Sequence, residues 1–260
     1  MARRIRRHVL AQSFRAGVGH IGCALSVADL IATLYARTLQ IDAPESPARD
    51  RFILSKGHAA LALYAALEER GWLPAPGIAA YLTDGSWLGV HPSHHVRGIE
   101  FSTGSLGYGP GFGAGCALAA RLAAAPWRTV VLVSDAECAE GSIWETAAFA
   151  AEHELGRLTV IVDVNGQQAL GATPAALHAD ALAARWRAHG WRVLDVDGHD
   201  CGALEAALAN RGEFRGAPGV VLARTVFGRG VSFMERRLEW HYRPMSGDDY
   251  ERASAEVEAT

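Results

Sequence analysis

The chain has 260 residues, half of them hydrophobic, and a formal net charge of -3. That length can bury one sizeable α/β core and does not require two domains, while the near-neutral balance gives no electrostatic footprint for nucleic acid and no apolar run reaches membrane-spanning length. Four scattered cysteines, Cys23, Cys116, Cys138 and Cys201, form no C-x-x-C pair and read as reduced, mostly buried thiols of a cytoplasmic protein, Cys138 in a packing role.

The opening segment from Met1 to His8 is rich in arginine, as targeting peptides and nucleic-acid arms are. Ile5, Val9, Leu10 and Phe14 nevertheless form a helical stripe running straight into Gly19-His20, so the segment is expected to be the first helix rather than a cleaved leader. A glycine-rich stretch, Ser102 to Gly111, precedes an alanine-rich helical run from Phe112 to Ala124. Thr129–Ser134 and Leu158–Val164 are short, β-branched and apolar on both alternating faces, as strands buried in a parallel sheet are. Between them Glu140 to Glu154 carries Ile143, Trp144, Ala147, Ala148 and Ala151 at helical spacing, which makes a strand–helix–strand unit with a parallel crossover. Trp191–Val196 and Gly219–Ala223 are further strand candidates, and Ala175–His189 and Gly202–Ala209 further helices. The alternation predicts an α/β fold, a mainly parallel sheet flanked by helices on both faces, as one domain over residues 1–260 with a mobile tail over 245–260.

Each of the two apolar strands closes on a polar group: Asp135-Ala136-Glu137 after the first, Asn165-Gly166-Gln167 after the second. In a parallel sheet, ligands gather at the carboxyl ends of strands. A carboxylate and an amide oxygen are hard donors suited to Mg2+, which typically binds a few protein oxygens together with substrate phosphates. The same residue types also occur there as a helix cap and a turn residue. The glycine-rich stretch allows close backbone approach to an anion at a helix start, with Pro110 in the first turn. It matches neither the P-loop nor the dinucleotide pattern, and a tight turn with close helix packing reads as well.

Taken together, five ordered segments resemble the N-terminal, diphosphate-binding half of a transketolase, of the split kind in which the two halves are separate polypeptides. Gly19-His20-Ile21-Gly22, with Leu25-Ser26 and Asp29 after it, is similar to the family's opening segment. The run from Arg49 to His58, RDRFILSKGH, is similar to a long and specific family segment. His91-Pro92, Gly98-Ile99-Glu100 and Thr103-Gly104-Ser105-Leu106-Gly107 resemble a third block. Ser134 to Glu145, ending some thirty residues later in Asn165, resembles the thiamine diphosphate motif. Thr225-Val226, Gly228 to Glu235 and Trp240-His241 resemble the C-terminal signature.

The resemblance implies a thiamine diphosphate-binding fold of the type that holds the diphosphate, with thiamine diphosphate and Mg2+ as cofactors. Asp135 and Asn165 would hold the metal through side chains and Gln167 through its main-chain carbonyl. Gly104, Ser105, Leu106, Ala136, Glu137 and His58 would surround the cofactor. Glu140, with Glu145 beside it, would belong to a carboxylate network that couples paired active sites; read alone, Glu145 is a carboxylate near a helix N-terminus, facing its dipole. Of the 11 histidines, His20, His58, His91 and His241 stand inside the motifs and are implied to line the channel to the cofactor and to contact a sugar. His94, His95, His153, His178, His189 and His199 are expected to be ordinary surface or turn residues.

Lys56 is the chain's single lysine, and its role is open between a need for a primary ammonium and a cap on a backbone carbonyl. The family's glutamate against the aminopyrimidine belongs to a second, pyrimidine-binding domain for which no segment after Glu235 is long enough. A separate partner polypeptide is therefore expected to carry it, in an α2β2 assembly moving a two-carbon ketol unit from a ketose to an aldehyde. Two other readings are a polypeptide that decarboxylates a 2-oxo acid and passes the acyl unit on, and a non-catalytic scaffold paralogue. Ala136 replaces the motif's second glycine, Tyr108 stands where the family often has Gln or His, and Gly166 where it often has a larger residue; these departures fit either an unusual acceptor in a specialised pathway or a loss of activity.

Overall fold

The computed structural model describes residues 1–209 and 216–259. Helix α1 (Ala2–Ala16) ends at Gly17, whose left-handed φ of 64° sends its amide back to the last-turn carbonyls. It is followed by α2 (Ile21–Ser26) and α3 (Ala28–Thr33), the latter prolonged by one wide turn, Leu34–Thr38. Then come β1 (Arg51–Leu54), α4 (Ala60–Glu69), α5 (Tyr108–Leu122), β2 (Thr129–Ser134), α6 (Gly141–Glu152) and β3 (Leu158–Val164). A small hairpin, β4 (Gln167–Gln168) and β5 (Gly171–Ala172), leads to α7 (Ala179–Ala188), β6 (Arg192–Asp197), α8 (Cys201–Leu208), β7 (Gly219–Arg224) and α9 (Gly247–Glu258).

Five strands pair in the order β1-β2-β3-β7-β6, every pair parallel. Successive side chains of a strand point to opposite faces, and here each face has its own core. Phe52, Leu54, Val130, Leu132, Ile161, Val221 and Ala223 pack with residues of α1 to α4, α8 and α9. Ile53, Val131, Val133, Val160, Val162, Val220 and Leu222 pack with residues of α5, α6 and α7. Both faces of the central strands are thus covered, which is why they read as unbroken apolar runs. Edge strand β6 instead exposes Arg192, Asp195 and Asp197, charges that discourage further strand pairing.

The two strands nearest the predicted site have the bounds expected from sequence. The segment Arg49 to His58, read only as a motif, also contains β1. Its neighbours explain several motif residues: Arg49 pairs with Glu100, and Asp50 accepts from the Arg128 side chain and from the Gln40 amide. Helix α7 begins at Ala179, after Pro174 and a short turn over Ala175–Leu177.

The expected mobile tail is a correction. Residues 247–258 form α9, opened by a capping box between Ser246 and Asp249. Ala253 and Val257 are fully buried, and Tyr250 stacks on Phe14 of α1 with ring centroids 4.6 Å apart. Position 260 lies outside the described residues. Among those described, no helix is long and apolar enough to cross a membrane.

Candidate active site

The parallel register of β2 and β3 sets Ser134 beside Asp163, so Asp135 and Asn165 leave the sheet at the same end. The Asp135 carboxylate accepts the Ala136 amide at 2.7 Å and the Gly166 amide at 2.8 Å. The second bond joins the end of β2 to the turn that carries Asn165 and Gln167. Asn165 donates its amide NH2 to Asp163 at 2.8 Å and more weakly to Ser26 at 3.4 Å, and its Oδ1 accepts the Gln167 amide at 2.9 Å. Because the NH2 end is committed to a carboxylate, the oxygen end is the one presented at the strand terminus. Asp135 is fully buried. Burial first, and the charge of Asp163 second, push its carboxyl up to about 7.

Asp163 is the residue that the sequence reading passed over. It sits inside β3 with no exposure, and its carboxylate accepts from Ser26, Thr225, Lys56 and Asn165. Four segments of the chain, α2, the turn after β1, the end of β3 and the start of the loop after β7, thus meet on one carboxylate. This settles Lys56, whose ammonium forms a fully buried ion pair with Asp163. Burial alone would lower the ammonium's pKa; the carboxylate outweighs it and the net direction is upward. The signal available in the sequence was a lone acidic residue inside an otherwise apolar strand, in a chain with one lysine.

The glycine-rich loop is held by Glu137. This side chain is fully buried, and it accepts from Ser55 Oγ, from the Gly107 amide at 2.7 Å and from the Ser134 amide at 3.2 Å. The structure therefore places Glu137 behind the loop, where it spends its oxygens on protein donors, rather than on the cofactor side expected of it. Gly107 caps α5 at φ 87°, and a Cβ there would fall 2.5 Å from Ser142 Oγ, so only glycine fits this approach. Gly104, Ser105 and Leu106 form the loop ahead of it, Ser105 exposed. Pro110 lies in the first turn of α5, as predicted. Ala136 adds its methyl group without losing the amide donated to Asp135.

The four motif histidines come together. His20, at a left-handed φ of 62°, caps α2 and donates its amide to the His241 carbonyl at 2.9 Å. Ring centroids are 5.4 Å apart for His20 and His58, 5.2 Å for His20 and His241, and 5.8 Å for His58 and His241. The His91 ring rests against Gly104, 3.2 Å from where a Cβ would stand. Burial, then the Lys56 charge, keeps His58 far below its ordinary pKa; burial, then His20, lowers His241 to about 4; burial, then His91, lowers His20. The result is a set of neutral imidazoles able both to donate and to accept. Nδ1 of His20 and of His241 are buried with no hydrogen-bond partner. Of the other histidines, His94 makes a local contact with Ser102, whereas His199 bridges distant segments, its ring held between the Asp29 carboxylate and the Val226 amide.

Glu140 and Glu145 are exposed on α6, Glu140 as its N-cap residue next to Gly107. Tyr108, Phe112 and Phe149 on α5 and α6 are likewise exposed.

The arrangement matches one known family over nearly its whole length: the model described as transketolase, thiamine diphosphate binding domain, matches residues 1–257. The chain belongs to this family. The 6-deoxy-6-sulfo-D-fructose transketolase subunit SqwG of Clostridium sp. (strain MSTE9) is 36% identical over 98% of this chain and 94% of its own length. An apulose-4-phosphate transketolase subunit of Phocaeicola vulgatus is 35% identical over 97% of this chain and 90% of its own. The solved transketolase from Leishmania mexicana superposes with a TM-score of 0.91 at 28% identity, over 99% of this chain and 40% of that one. The chain thus spans nearly all of the two bacterial relatives and well under half of the solved transketolase.

Thiamine diphosphate, with a divalent metal, is the cofactor of this family, and the residues here fit the pair. The donor set at the strand ends is hard oxygen, and Gln167 Oε1 is a further buried oxygen with no partner. A cation beside Asp135 would offset the burial that now favours its neutral form.

Proposed function

We propose that the chain is the cofactor-binding half of a two-subunit enzyme that moves a two-carbon ketol unit from a ketose to an aldehyde. The observation that carries this reading is the pairing of Asp135 with the Asn165–Gln167 turn, beside a glycine loop and a set of neutral histidines. Asp135, Asn165 and the Gln167 carbonyl would hold Mg2+, and Gly104 to Leu106 with the start of α5 would take the diphosphate. When bound, thiamine diphosphate supplies the nucleophilic carbon and the electron sink. His20, His58, His91 and His241 orient the ketose hydroxyls and carbonyl by hydrogen bonds, which a neutral imidazole both donates from one ring nitrogen and accepts at the other. Glu137 and the Lys56–Asp163 pair act through position: they fix the loop and the strand ends.

The carboxylic acid needed against the aminopyrimidine is assigned to a separate polypeptide, in an α2β2 assembly. Two features support this: relatives of matching length are named as transketolase subunits, and Tyr108, Phe112 and Phe149 expose aromatic surface on α5 and α6, which a partner would cover. Four unpaired cysteines support a reducing, cytosolic setting. The test is product analysis on the chain together with the polypeptide encoded beside it, given thiamine diphosphate and Mg2+. Ketol transfer from a ketose to an aldehyde, lost in Asp135→Ala, is the expected result. Carbon dioxide released from 2-oxo acids alone would replace this reading with acyl transfer; cofactor binding without turnover of any donor would leave a scaffold.

A further inference from the structure

Cys23 has no part in the cofactor site described above, yet it stands at its edge. The thiol lies on α2, three residues after His20 and nearly without exposure. Its Sγ, a ring nitrogen of His58 and a ring nitrogen of His241 all lie within 4.8 Å of one another. The three groups come from α2, from the turn after β1 and from the short helical turn Leu238–His241, so the fold, not sequence proximity, assembles them. A second observation points to a ligand: His241 is more than nine-tenths buried, and its Nδ1 has no hydrogen-bond partner. A buried ring nitrogen left unpaired is costly, and coordination is one way to satisfy it.

The donor chemistry selects the occupant. One thiolate and two imidazoles form a soft to borderline set, the kind that takes Zn2+ and rejects Mg2+. The oxygen set of Asp135, Asn165 and Gln167 has the opposite preference. The two sites are therefore separated by ligand hardness. We propose that Cys23, His58 and His241 form a Zn2+-class metal site with one coordination position open toward His20, and that metal held there blocks the histidine-lined approach to the cofactor. On binding, the sulfur–metal bond forms as the S–H bond breaks and the proton leaves to solvent; no electron is transferred. Zinc bonds of about 2.0–2.3 Å set donors roughly 3.5 Å apart, so the three side chains close in by on the order of 1 Å. The blocking part rests on the proposed function, whereas the binding part does not.

Cobalt(II) is the probe, because a tetrahedral thiolate complex gives a sulfur-to-cobalt charge-transfer band in the near ultraviolet and strong visible bands. The full chain, reduced and free of other metals, is titrated with Co2+ and then with Zn2+, beside Cys23→Ala, with circular dichroism as the control for folding. The expected result is one Co2+ per chain with the thiolate band, bleached by Zn2+, and no band in Cys23→Ala. Zn2+ affinity in the variant falls at least about 10-fold, the loss typical even of changes to residues that merely support metal ligands. With the partner and excess Mg2+, Zn2+ inhibits the wild-type enzyme more strongly than Cys23→Ala by the same factor. No thiolate band in the wild type, or a band that survives in Cys23→Ala, overturns the site; equal inhibition of both proteins overturns the blocking. Magnesium-dependent thiamine diphosphate binding is measured separately on both proteins. Its failure with the cobalt band intact removes the proposed function and leaves the metal site standing.

Discussion

Two polar clusters meet at the carboxyl ends of β2 and β3, and they treat their polar atoms in opposite ways. Around Asp163 and Glu137 the buried oxygens accept from protein donors: Lys56, Ser26, Thr225 and Asn165 for the first, Ser55, Gly107 and Ser134 for the second. Around His20, His58 and His241 the rings touch one another, and two of their buried nitrogens have no partner. A satisfied cluster fixes geometry, since opening it strands a buried charge. An unsatisfied one costs stability and leaves its donors and acceptors available to a ligand. The contrast separates the part of the site that builds the fold from the part proposed to meet substrate.

The largest effect is expected where the satisfied cluster is broken. Lys56→Met leaves the Asp163 carboxylate buried without its cation and costs about 3–5 kcal/mol, read as a shift of the urea midpoint at constant slope. A loss below about 1 kcal/mol, the range of exposed pairs, would mean that the ion pair is not structural. Next comes Glu137→Gln, which turns an amide donor toward a site that supplies only donors. A cost of about 1–3 kcal/mol is expected, with faster amide exchange at Gly107. Unchanged exchange there would remove Glu137 from its role in holding the loop.

Substitution in the open cluster should show the reverse. His20→Ala is expected to change stability by no more than about 1 kcal/mol, because the ring nitrogen it deletes had no partner, while kcat measured with the partner polypeptide falls by about 10²–10⁴ if the ring moves protons. Equal damage to folding and turnover would erase the distinction. The smallest effect concerns pH. His241 stays neutral in the folded chain down to about 4, whereas the unfolded chain protonates it near the ordinary 6.5. The unfolded state then binds more protons between these values, so this residue lowers stability as pH falls from about 6.5 to about 4. Asp135, held near 7 in the folded chain, has the opposite slope below 7, so the wild type must be compared with His241→Gln across the same pH range. Urea midpoints of the variant should decline less steeply; parallel profiles would contradict the buried neutral state.

Much of this was legible from the residues. The apolar runs that became β2 and β3 are buried on both faces, so their pattern survived without interference, and the polar residues closing them marked the strand ends where the site is proposed. The four motif histidines were legible through resemblance, and the structure brings them to one place. Asp163 was hidden because a single charge inside an apolar run looks like noise until its partners, 107 positions away for Lys56, are folded onto it. Glu137 was misread for the related reason that a carboxylate beside a cofactor motif can face either way, and only burial tells which. Helix α9 was missed although Ser246 and Asp249 spell a capping box and Tyr250, Ala253 and Val257 form a stripe; its apolar face acquires meaning only against Phe14 of α1. Cys23 gave no signal, since its neighbours come from distant segments.

The most direct test of the central claim is calorimetric titration of thiamine diphosphate, with and without Mg2+, into the chain assembled with its partner polypeptide. Magnesium-dependent binding at one cofactor per active site, lost in Asp135→Ala and retained in His20→Ala, is the predicted result. Binding that ignores Mg2+, or that survives Asp135→Ala undiminished, would contradict the assignment of the strand ends as the cofactor site.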